Sequence, residues 1–543
     1  MPESVVPGEA EATGGPTSVD HDRSARLMTA LVGASRASGL ARMLVAFAVL
    51  GTSSPLSNVY TSANTVPTLL FEMLAAGALS ATLVPEFRRR HAAGDHRGGD
   101  RLAASVLVWG GAALGAVLAV ALLARHALSD LLLVGIDDPA ERSRAASLLS
   151  LLLLFLLPQV LAYLVNAVAV AHLQARFRFG ASMICPLVNN LVLIATYLLF
   201  WRLRDGRPPG LDLSDAEVAT LGLGTLGGVI AMCAVPAVDA VRSGWRPARP
   251  FPARSPEVRR LLRDGVWAAV FLAGGQAVLA LALPLTNAHD GHGVVWQLAW
   301  QLFLLPHALL AVPVLTARFP AMAAAHDRGD GVELAGVTGG GIRSVVATGA
   351  LAGAILWAAA EPVGRILAVG AASRSAPLLE AALVTLAPGI AVFGVLHLLT
   401  RRCYAIGDTR TPALAALVVL GVAAAIMFGV VGQVAVERRL SVLGAAVTLG
   451  NLAGVVVLAR RVRLGGLARP VLRRLAAATT AGVVGRGAVA AVGGVGPGRP
   501  GAVGSVLLAG LAGVGAYLLV DRGAGGPGWR RTLATMGAGE RSA

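Results

Sequence analysis

Residues 85–95 read PEFRRRHAAGD and residues 320–330 read PAMAAAHDRGD, so Pro, His, Gly and Asp recur with identical spacing. Each stretch ends a hydrophobic block, and the two blocks lie six predicted membrane spans apart. Because six is an even number, the two copies have the same orientation in a membrane. Parallel repeats of this kind are typical of transporters whose substrate path runs between two halves.

The composition outside these stretches indicates a membrane protein. Of 543 residues, 55% are hydrophobic and 14% are charged, whereas a soluble domain carries about 25% charged residues. The apolar residues occur in blocks of about 20, which is the length of a helix that crosses a hydrocarbon core. This pattern excludes a soluble multidomain enzyme, a disordered chain, a nucleic-acid-binding domain and a disulfide scaffold.

We therefore predict an all-α polytopic membrane protein with about fourteen transmembrane helices. Two six-helix lobes in parallel repeat surround a central cavity, and two C-terminal helices follow them. The predicted spans are residues 28–53, 56–87, 102–124, 144–171, 181–201, 217–240, 264–286, 294–317, 338–360, 377–400, 411–432, 440–459, 475–495 and 501–521.

These spans divide the chain into six predicted regions. The first tail has no apolar segment of the kind found in a cleavable signal peptide. The regions are a cytoplasmic polar tail (1–27), an N-lobe (28–240), a cytoplasmic Arg-rich linker on the membrane surface (241–263), a C-lobe (264–474), spans 13 and 14 (475–521) and a cytoplasmic tail (522–543).

The arginines predict the orientation of the chain. The chain has no lysine, so all 46 basic residues are arginine. We place the N-terminus in the cytoplasm and assign each arginine, except the two in span 1, to the nearer side of the membrane. On this basis 32 arginines are cytoplasmic and 12 are on the outer side. Short cytoplasmic loops carry such an excess of positive charge. The partition predicts that both termini and the 241–263 linker are cytoplasmic.

The residues indicate neither a metal site nor an enzyme. Three cysteines without CxxC spacing suggest neither a disulfide framework nor zinc. His289 and His292 lie together in a short outward loop, but zinc requires further ligands that the loop does not supply. The chain has no nucleophile–base set, Walker lysine or HExxH helix, and we expect neither a cofactor nor catalysis.

Span 1 contains two arginines, and an ionisable residue inside a membrane is by default a functional hypothesis. Helical geometry places Ser35, Gly39 and Arg42 on one stripe, with Arg36 about 100° away. The two arginines lie about 9 Å apart along the axis. They suit two donors that line an aqueous cavity at different depths. For Arg36 the alternative is a side chain that extends to the cytoplasmic interface.

Span 2 carries a glutamate, Glu72, at mid-span. It is either half of a buried ion pair, with Arg42 or Arg36 as partner, or a protonatable carboxylate in a transport cycle. Pro67, with Asn64 before it, predicts a break in this helix and a hinge.

Several neutral polar residues also lie inside the predicted spans. Such groups hydrogen-bond between helices more often than they bind ligands. They are Asn189, Asn190, Gln276, Gln297, Gln301 and His307. His126, His172 and His397 are scattered and form no pattern in the sequence.

Two stretches resemble a known family. They are SRASGLARMLVAFAVLG (35–51) with NVYTSANTVPTLLFEMLAAGALSATLVPEF (58–87), and LTRRCYAIGDTRTPAL (399–414) at the junction of spans 10 and 11. Both are similar to the MurJ/MviN family of lipid II flippases, in the multidrug/oligosaccharidyl-lipid/polysaccharide exporter superfamily. The resemblance covers about residues 28–521. Its most specific part comprises Tyr404, Gly407, Asp408, Thr409, Arg410 and Pro412.

The resemblance implies a bacterial plasma-membrane protein with a cavity that opens alternately to either side. The implied cargo is lipid II, an undecaprenyl-pyrophosphate-linked disaccharide-pentapeptide that is moved outward for cell-wall synthesis. Ser35, Arg36 and Arg42 match the cavity motif of the family. Asn58 and Gln301 stand where the family commonly has an acidic residue and an arginine.

Further departures from the family reduce the predicted cavity charge. Phe71 replaces an expected arginine, and Ala76 replaces the glutamate of the AEGA stretch. Taken together, Arg42, Arg36, Ser35, Gly39, Asn58, Glu72 and Gln301 form the predicted substrate site.

Three functions follow from the sequence. The first is a lipid II flippase, whose arginines bind pyrophosphate oxygens bidentately. The second is a cation-coupled exporter of another lipid-linked glycan or small molecule, which would have an aromatic, carboxylate-rich cavity. The third is a non-transporting membrane scaffold. An ion gradient and the membrane potential both stay open as energy sources, and cell-wall synthesis enzymes are candidate partners.

Overall fold

A computed structural model of the chain provides the structure. It describes residues 34–35, 37–39, 41–51, 54–73, 77–176, 178, 180–246, 248–367, 375–460, 462, 468–491 and 498–523.

The described residues form α-helices connected by short loops. In chain order these helices are α1 (41–50), α2 (Pro55–Phe71), α3 (Gly77–Ala92), α4 (His96–Leu123), α5 (Arg125–Leu132), α6 (Pro139–Ala175), α7 (Gly180–Arg204), α8 (Asp215–Arg242), α9 (Pro256–Asn287), α10 (His292–Asp327), α11 (Gly331–Ala358), α12 (Ala360–Leu367), α13 (Ala376–Leu386), α14 (Gly389–Ala405), α15 (Arg410–Val430), α16 (Arg439–Ala459), α17 (Ala468–Ala491) and α18 (Gly498–Gly523).

The prediction of an all-α polytopic membrane protein is confirmed. Every one of the fourteen predicted spans contains described helix. Ten helices of the described chain are long and apolar enough to cross a membrane, and α13 with α14 forms an eleventh span that is bent by 46°. Spans 1, 2 and 13 do not meet that criterion within the described residues, so the count of fourteen stays a prediction.

The helices pack around separate hydrophobic cores. One core is built from buried residues between positions 278 and 462. The second contains buried residues between positions 50 and 221 together with Leu283. A smaller third core lies between positions 83 and 175, around α3, α4 and α6. This packing agrees with one helix group on either side of the predicted linker. The exact domain boundaries stay a prediction.

The repeated sequence motif forms the same turn in both places. Gly94 and Gly329 adopt left-handed φ angles of 70° and 71° at the ends of α3 and α10. The backbone N–H of Asp95 donates to the carbonyl five residues earlier at 2.9 Å, and that of Asp330 does so at 3.0 Å. These bonds are typical of the glycine-terminated helix end called the Schellman motif.

The two aspartates of the motif begin the following helices. The Oδ1 atom of Asp95 accepts from the backbone N–H three residues later at 2.9 Å, and that of Asp330 does so at 2.8 Å. Aspartate at this position satisfies an N–H that has no partner within the helix. The spacing that the two stretches share therefore encodes the end of one helix followed by the start of the next.

A second repeated element is visible only in the structure. Helix α6 is interrupted at Pro158, and the α13–α14 pair is interrupted at Pro388, so spans 4 and 10 break at matching places. Proline lacks the N–H that would continue the helix ladder. Because these spans are also six apart, the parallel repeat extends beyond the motif that the sequence revealed.

The Arg-rich linker packs against the protein. Non-helical residues 243–246 and 248–255 lie beside α4, where the Phe251 N–H donates to Ser105 Oγ at 2.7 Å. The Trp109 indole N–H donates to the Phe251 carbonyl at 2.8 Å, and the Arg101 guanidinium lies 4.2 Å from the Phe251 ring centre. The linker is thus fixed to the first helix group by its aromatic residue, which the charge pattern alone did not predict.

The two C-terminal helices form a layer on α11. Helices α17 and α18 pack against each other and against α11. Arg486 of α17 pairs with Glu380 of α13 at 2.8 Å, and its guanidinium lies 4.9 Å from the Trp357 ring centre. Arg486, which lies inside predicted span 13, is therefore balanced by a carboxylate.

We expect Gly329→Ala to lower the stability of the protein, because an alanine in the left-handed region costs about 1–2 kcal/mol. No atom lies within 4 Å of the position that its Cβ would take, so the cost is conformational. Gly336→Ala, in the exposed first turns of α11 and equally free of neighbours, is the matched control. Alanine there favours the helix by about 1 kcal/mol. Thermal unfolding in detergent should separate the two variants, and equal melting temperatures would contradict the assigned turn.

Candidate functional site

A cavity of about 630 Å³ lies between the two helix groups. Helices α1 and α2 supply one wall, and helices α9, α10, α14, α15 and α16 supply the other. The predicted central cavity is therefore present in the described chain. Among the predicted site residues, Arg42, Glu72 and Gln301 line it.

The wall formed by α1 and α2 is polar. Asn64, Thr68 and Glu72 follow one another at four-residue intervals, which places them on one face of α2, and Thr65 adjoins them. Arg42 extends from α1 to the same cavity. This wall carries both formal charges, Arg42 and Glu72, that line the cavity in the described chain.

Arg42 has no partner in the part of the chain that the structure describes. Its Nε atom is fully buried without a hydrogen bond, and its guanidinium makes no ion pair with a described residue. A buried ionised group without a partner is costly. Arg42 is therefore available to an anion or to cavity water.

The predicted ion pair between Arg42 and Glu72 is absent. Both side chains line the cavity, but they form no ion pair with each other. Glu72 lies just beyond α2, where the helix widens into a π turn. Arg36, the other partner considered, lies outside the described residues.

A second, smaller cavity of about 80 Å³ continues from the first. Arg42, Asn64, Gln297 and Gln301 line both. The smaller cavity also reaches Tyr60, whose hydroxyl is hydrogen-bonded to other residues of the first helix group. Arg42 therefore lies at the junction of two compartments.

The wall opposite Arg42 is aromatic. Phe271, Trp296, Trp300 and Phe393 line it, and the Trp296 and Trp300 rings stack with centres 6.5 Å apart. Phe393 meets Trp300 edge-on with centres 6.4 Å apart. The low aromatic content of the chain, 5%, gave no sign of this wall, because these residues come from three distant segments.

Amide side chains complete the aromatic wall. Gln276, Gln297, Gln301 and Asn451 line the cavity among the rings. Gln297 also donates to the Thr65 hydroxyl and so joins α10 to α2. These glutamines and Asn451 are uncharged donors and acceptors suited to the hydroxyl and amide groups of a sugar or peptide.

Ser35 and Gly39, two of the predicted site residues, pack against another helix and do not line the cavity. The Ser35 carbonyl accepts from the Asn190 amide at 3.5 Å, and the same amide donates to Ser38 Oγ at 3.0 Å. A Cβ atom at Gly39 would lie 3.5 Å from that amide nitrogen. This end of span 1 therefore packs on α7, and the stripe through Ser35, Gly39 and Arg42 separates into a packing part and a cavity part.

Asn58 joins the two helix groups at the end of the smaller cavity. It is 3% exposed, and its amide donates to the His289 carbonyl at 2.8 Å. Nearby, the Ser62 hydroxyl donates to Asn287 Oδ1 at 2.9 Å, and the Asn287 amide donates to the Leu132 carbonyl at 3.0 Å. Asn58 thus belongs to a polar interface and is absent from the cavity lining.

The predicted break at Pro67 is wrong, because α2 runs through Pro67 without interruption. Pro67 is buried, and a proline inside a helix can be accommodated in membrane proteins by adjustments of the neighbouring turns. The change in helix geometry comes at Glu72, at the end of α2. A hinge at Pro67 stays a prediction.

The two histidines of the 289–292 loop make no metal cluster. In the described chain, no group of three or more potential ligands is placed to hold an ion. The Arg439 guanidinium donates to His289 Nε2, and burial together with this guanidinium lowers the pKa of His289. The neutral imidazole is thus a hydrogen-bond acceptor between α9 and α16.

The family-like segment at 404–412 is a turn between α14 and α15. Gly407 has a left-handed φ of 75°, and Asp408 Oδ1 accepts from the N–H groups of Arg410 and Thr411 at 3.1 and 3.0 Å. Asp408 Oδ2 also accepts from the Thr411 hydroxyl at 2.5 Å. The arrangement repeats the glycine–aspartate turns at 94–95 and 329–330.

The remaining residues of that segment are placed around the turn. Tyr404 meets Phe271 edge-on, and the Arg410 guanidinium lies 5.6 Å from the Trp267 ring centre. Thr409 precedes α15, and Pro412 lies in its first turn. None of the six motif residues lines the central cavity, and their contacts described above are within the turn and with α9.

Comparison with known proteins agrees with this architecture. The family model described as lipid II flippase MurJ matches residues 47–490. The chain is 25% identical over 384 residues to the probable lipid II flippase MurJ of Rhizobium tropici, covering 70% of this chain and 69% of that protein. It is 26% identical over 392 residues to the protein of the same description from Rhizobium meliloti (strain 1021), with coverage of 70% and 69%.

Solved structures with the same fold include a lipid II flippase MurJ in an inward closed conformation. It has a TM-score of 0.72 at 17% identity and covers 92% of this chain and 99% of that one. An inward-facing MATE family transporter of the MOP superfamily has a TM-score of 0.62 at 16% identity, with coverage of 80% and 96%.

Asp408→Ala should lower stability by about 1 kcal/mol, because it removes the acceptor that begins α15. Asp408→Asn keeps an acceptor and should restore most of this loss. Thermal unfolding measures both variants. A stable Asp408→Ala protein that no longer binds a lipid-linked pyrophosphate would show that this aspartate contacts the ligand instead.

Proposed function

Because the chain belongs to the MurJ lipid II flippase family, we propose that it moves lipid II from the inner to the outer leaflet of the bacterial plasma membrane. The lipid-linked pyrophosphate and its sugar–peptide head group would pass through the central cavity, while the polyprenyl tail stays in the lipid. The protein is a multi-pass membrane transporter, not an enzyme. The cargo and the route are the proposal.

The observation that carries this proposal is the unpartnered Arg42 in the cavity lining. A guanidinium presents N–H groups in a planar fork that matches two phosphate oxygens. No described carboxylate occupies this fork. An anionic group in the cavity would satisfy it, and the pyrophosphate is the anionic part of the cargo.

The opposite walls suit the two chemical parts of the head group. The polar wall with Arg42 would face the pyrophosphate, and the aromatic wall would face the sugars and the peptide. Sugar rings present apolar C–H faces that pack on aromatic rings, and their hydroxyl groups need donors and acceptors such as Gln276 and Gln301. This distribution supports a large amphipathic cargo.

Two compartments that share Arg42 support alternating access. Asn58 and Ser62, whose neighbours Ser57 and Thr61 line the smaller cavity, join the two helix groups by hydrogen bonds between neutral groups. We infer that these contacts open in the outward-facing state. The charged junction would then face the outer side.

A second candidate is an exporter of a smaller molecule on the same fold. The aromatic wall favours this exporter, since such a protein is expected to have an aromatic, carboxylate-rich cavity. Its other criterion, several carboxylates, is not met, because Glu72 is the acidic residue of the described cavity lining. A non-transporting scaffold would have no need of a cavity with an unpaired arginine. The flippase therefore fits best.

We expect Arg42→Ala to abolish translocation of a labelled lipid-linked glycan in liposomes, and Arg42→Lys to restore it poorly. Lysine offers a point charge without the planar fork. Because the cavity contains no Arg42–Glu72 pair, the double change Arg42→Ala with Glu72→Ala should not recover function.

The control is Arg202→Lys, since Arg202 is exposed at the end of α7 and lies away from the cavity. It tests whether a lysine in this lysine-free chain disturbs insertion or folding. The yield of folded protein is measured for each variant. Normal flipping by a well-folded Arg42→Ala protein would end the assignment.

We further propose that both termini, the 88–101 loop and the 241–263 linker are cytoplasmic and that the 289–292 loop is outside. The arginine partition supports this orientation. In a background without Cys185, Cys233 and Cys403, an exposed cysteine would report the side on which it lies.

Asp290→Cys should react with an impermeant maleimide in intact cells, whereas Arg254→Cys should react only after permeabilisation. Both positions are exposed in the structure, so access depends on the membrane side. Labelling of Arg254→Cys in intact cells would reverse the proposed topology, and it would leave the cavity assignment untouched.

A further inference from the structure

Two histidines that the sequence showed as unrelated lie together beside the central cavity. His307 belongs to α10 and His397 to α14, and their ring centres are 5.0 Å apart. The Phe393 ring contacts both, with centre distances of 4.7 and 4.2 Å. We call His307 and His397 the histidine pair.

The hydrogen bond of His397 determines which of its nitrogens can accept a proton. Its Nδ1 atom lies 3.0 Å from the Phe393 carbonyl oxygen. A carbonyl only accepts, so Nδ1 carries the proton and Nε2 keeps a lone pair. Because His397 lines the cavity, a proton can reach this ring from cavity water.

His307 is the buried member of the pair. It is 9% exposed, and its Nδ1 atom has no hydrogen-bond partner in the described chain. It is also the first residue of a π-helical turn, His307–Ala311, directly after Pro306. Such turns are frequent at functional sites. An unpaired ring nitrogen at this place is an observation that interhelical packing does not explain.

The charged groups around the histidine pair are mostly positive. Arg401 follows His397 by one turn on α14, Arg318 lies further along α10, and Arg343 lies on α11, which packs against both. Arg42 and Glu72 face the pair across the cavity. The burial of His307 and the guanidinium of Arg401 beside His397 disfavour a further positive charge, which favours a neutral pair in the empty protein.

An anion in the cavity changes this balance. The pyrophosphate of the proposed cargo brings negative charge to the wall opposite the pair and offsets Arg42. Protonation of one imidazole then becomes favourable. A second proton would place two positive rings at 5.0 Å, and like charges at this distance repel. The pair therefore takes up one proton and not two.

We propose that the histidine pair is a proton-binding site that takes up one proton when anionic cargo enters the cavity. This inference rests on the proposed function, because it requires a negatively charged cargo. The step forms one N–H bond at His397 Nε2 and breaks one O–H bond of a hydronium ion in the cavity, which leaves water, and the reverse step returns the proton to water. By thermodynamic reciprocity, the bound proton must raise the affinity for the cargo.

The first experiment observes the histidines directly in the empty protein. Imidazole NMR signals of labelled histidine are followed against pH in nanodiscs, and difference spectra of His397→Gln and His307→Gln assign them among the ten histidines of the chain. We expect the two rings to titrate together with one proton between them, and the remaining ring of each single variant to take up one proton on its own. Two rings that titrate independently, or that stay neutral down to about pH 4, would overturn the site.

The second experiment measures the coupling to cargo. The probe is a polyprenyl-pyrophosphate-linked sugar, whose pyrophosphate diester keeps its charge over the range used. We expect its affinity to rise about tenfold from about pH 8 to about pH 6 in the unmodified protein. His397→Gln should bind with little dependence on pH.

His126→Gln is the matched control, because His126 lies on α5, is bonded to Ser150 and does not line the cavity. It should keep the full pH dependence. Equal pH dependence in the His397→Gln and unmodified proteins would overturn the coupling. If the probe fails to bind at any pH, the proposed cargo is wrong, and the NMR titration still decides whether the pair binds a proton.

Discussion

An ionised guanidinium is unstable in hydrocarbon unless water or a counter-ion accompanies it. Arg42 has neither ion pair nor hydrogen bond in the described chain, so the helices around it must hold open a space that water or cargo can enter. Two helix groups that met in a dry interface could not contain this residue. The cavity between the two helix groups is therefore a consequence of Arg42 as much as of the fold. Its two walls are arranged around this guanidinium.

The walls differ because they derive from unrelated helices of the two groups. One wall is a polar face of α2 together with Arg42, and the other is a set of rings and amides from α9, α10 and α14. A symmetric pair of walls would suit a symmetric ligand. A cargo that is ionic at one end and glycosidic at the other is matched by two different walls, and the histidine pair places a titratable group on the side that has no fixed charge.

The sequence predicted those features that depend on local patterns. The helices and the positions of Arg42 and Glu72 at the cavity follow from hydrophobic periodicity and from the cost of charge in a membrane, whereas Gln301 was predicted from the family resemblance. The aromatic wall and the histidine pair were missed because the wall combines three separate segments, the two histidines lie 90 residues apart in the chain, and no pattern joins them. Ser35 and Gly39 share the stripe of Arg42, but α7 covers their end of it. Pro67 was expected to break a helix that packing keeps continuous.

The hydrogen bonds between the two helix groups explain how such a structure can still change conformation. Asn58, Ser62 and Thr65 join the two groups by hydrogen bonds between neutral groups. Each contributes about 0.5–1.5 kcal/mol net, whereas breaking a buried ion pair by removing one partner costs about 3–5 kcal/mol. Carboxylate–arginine pairs are placed elsewhere, for example Arg486 with Glu380, where helices stay together. Asn58 thus provides a contact that is specific in geometry yet weak enough for the free energy of one bound anion to outweigh.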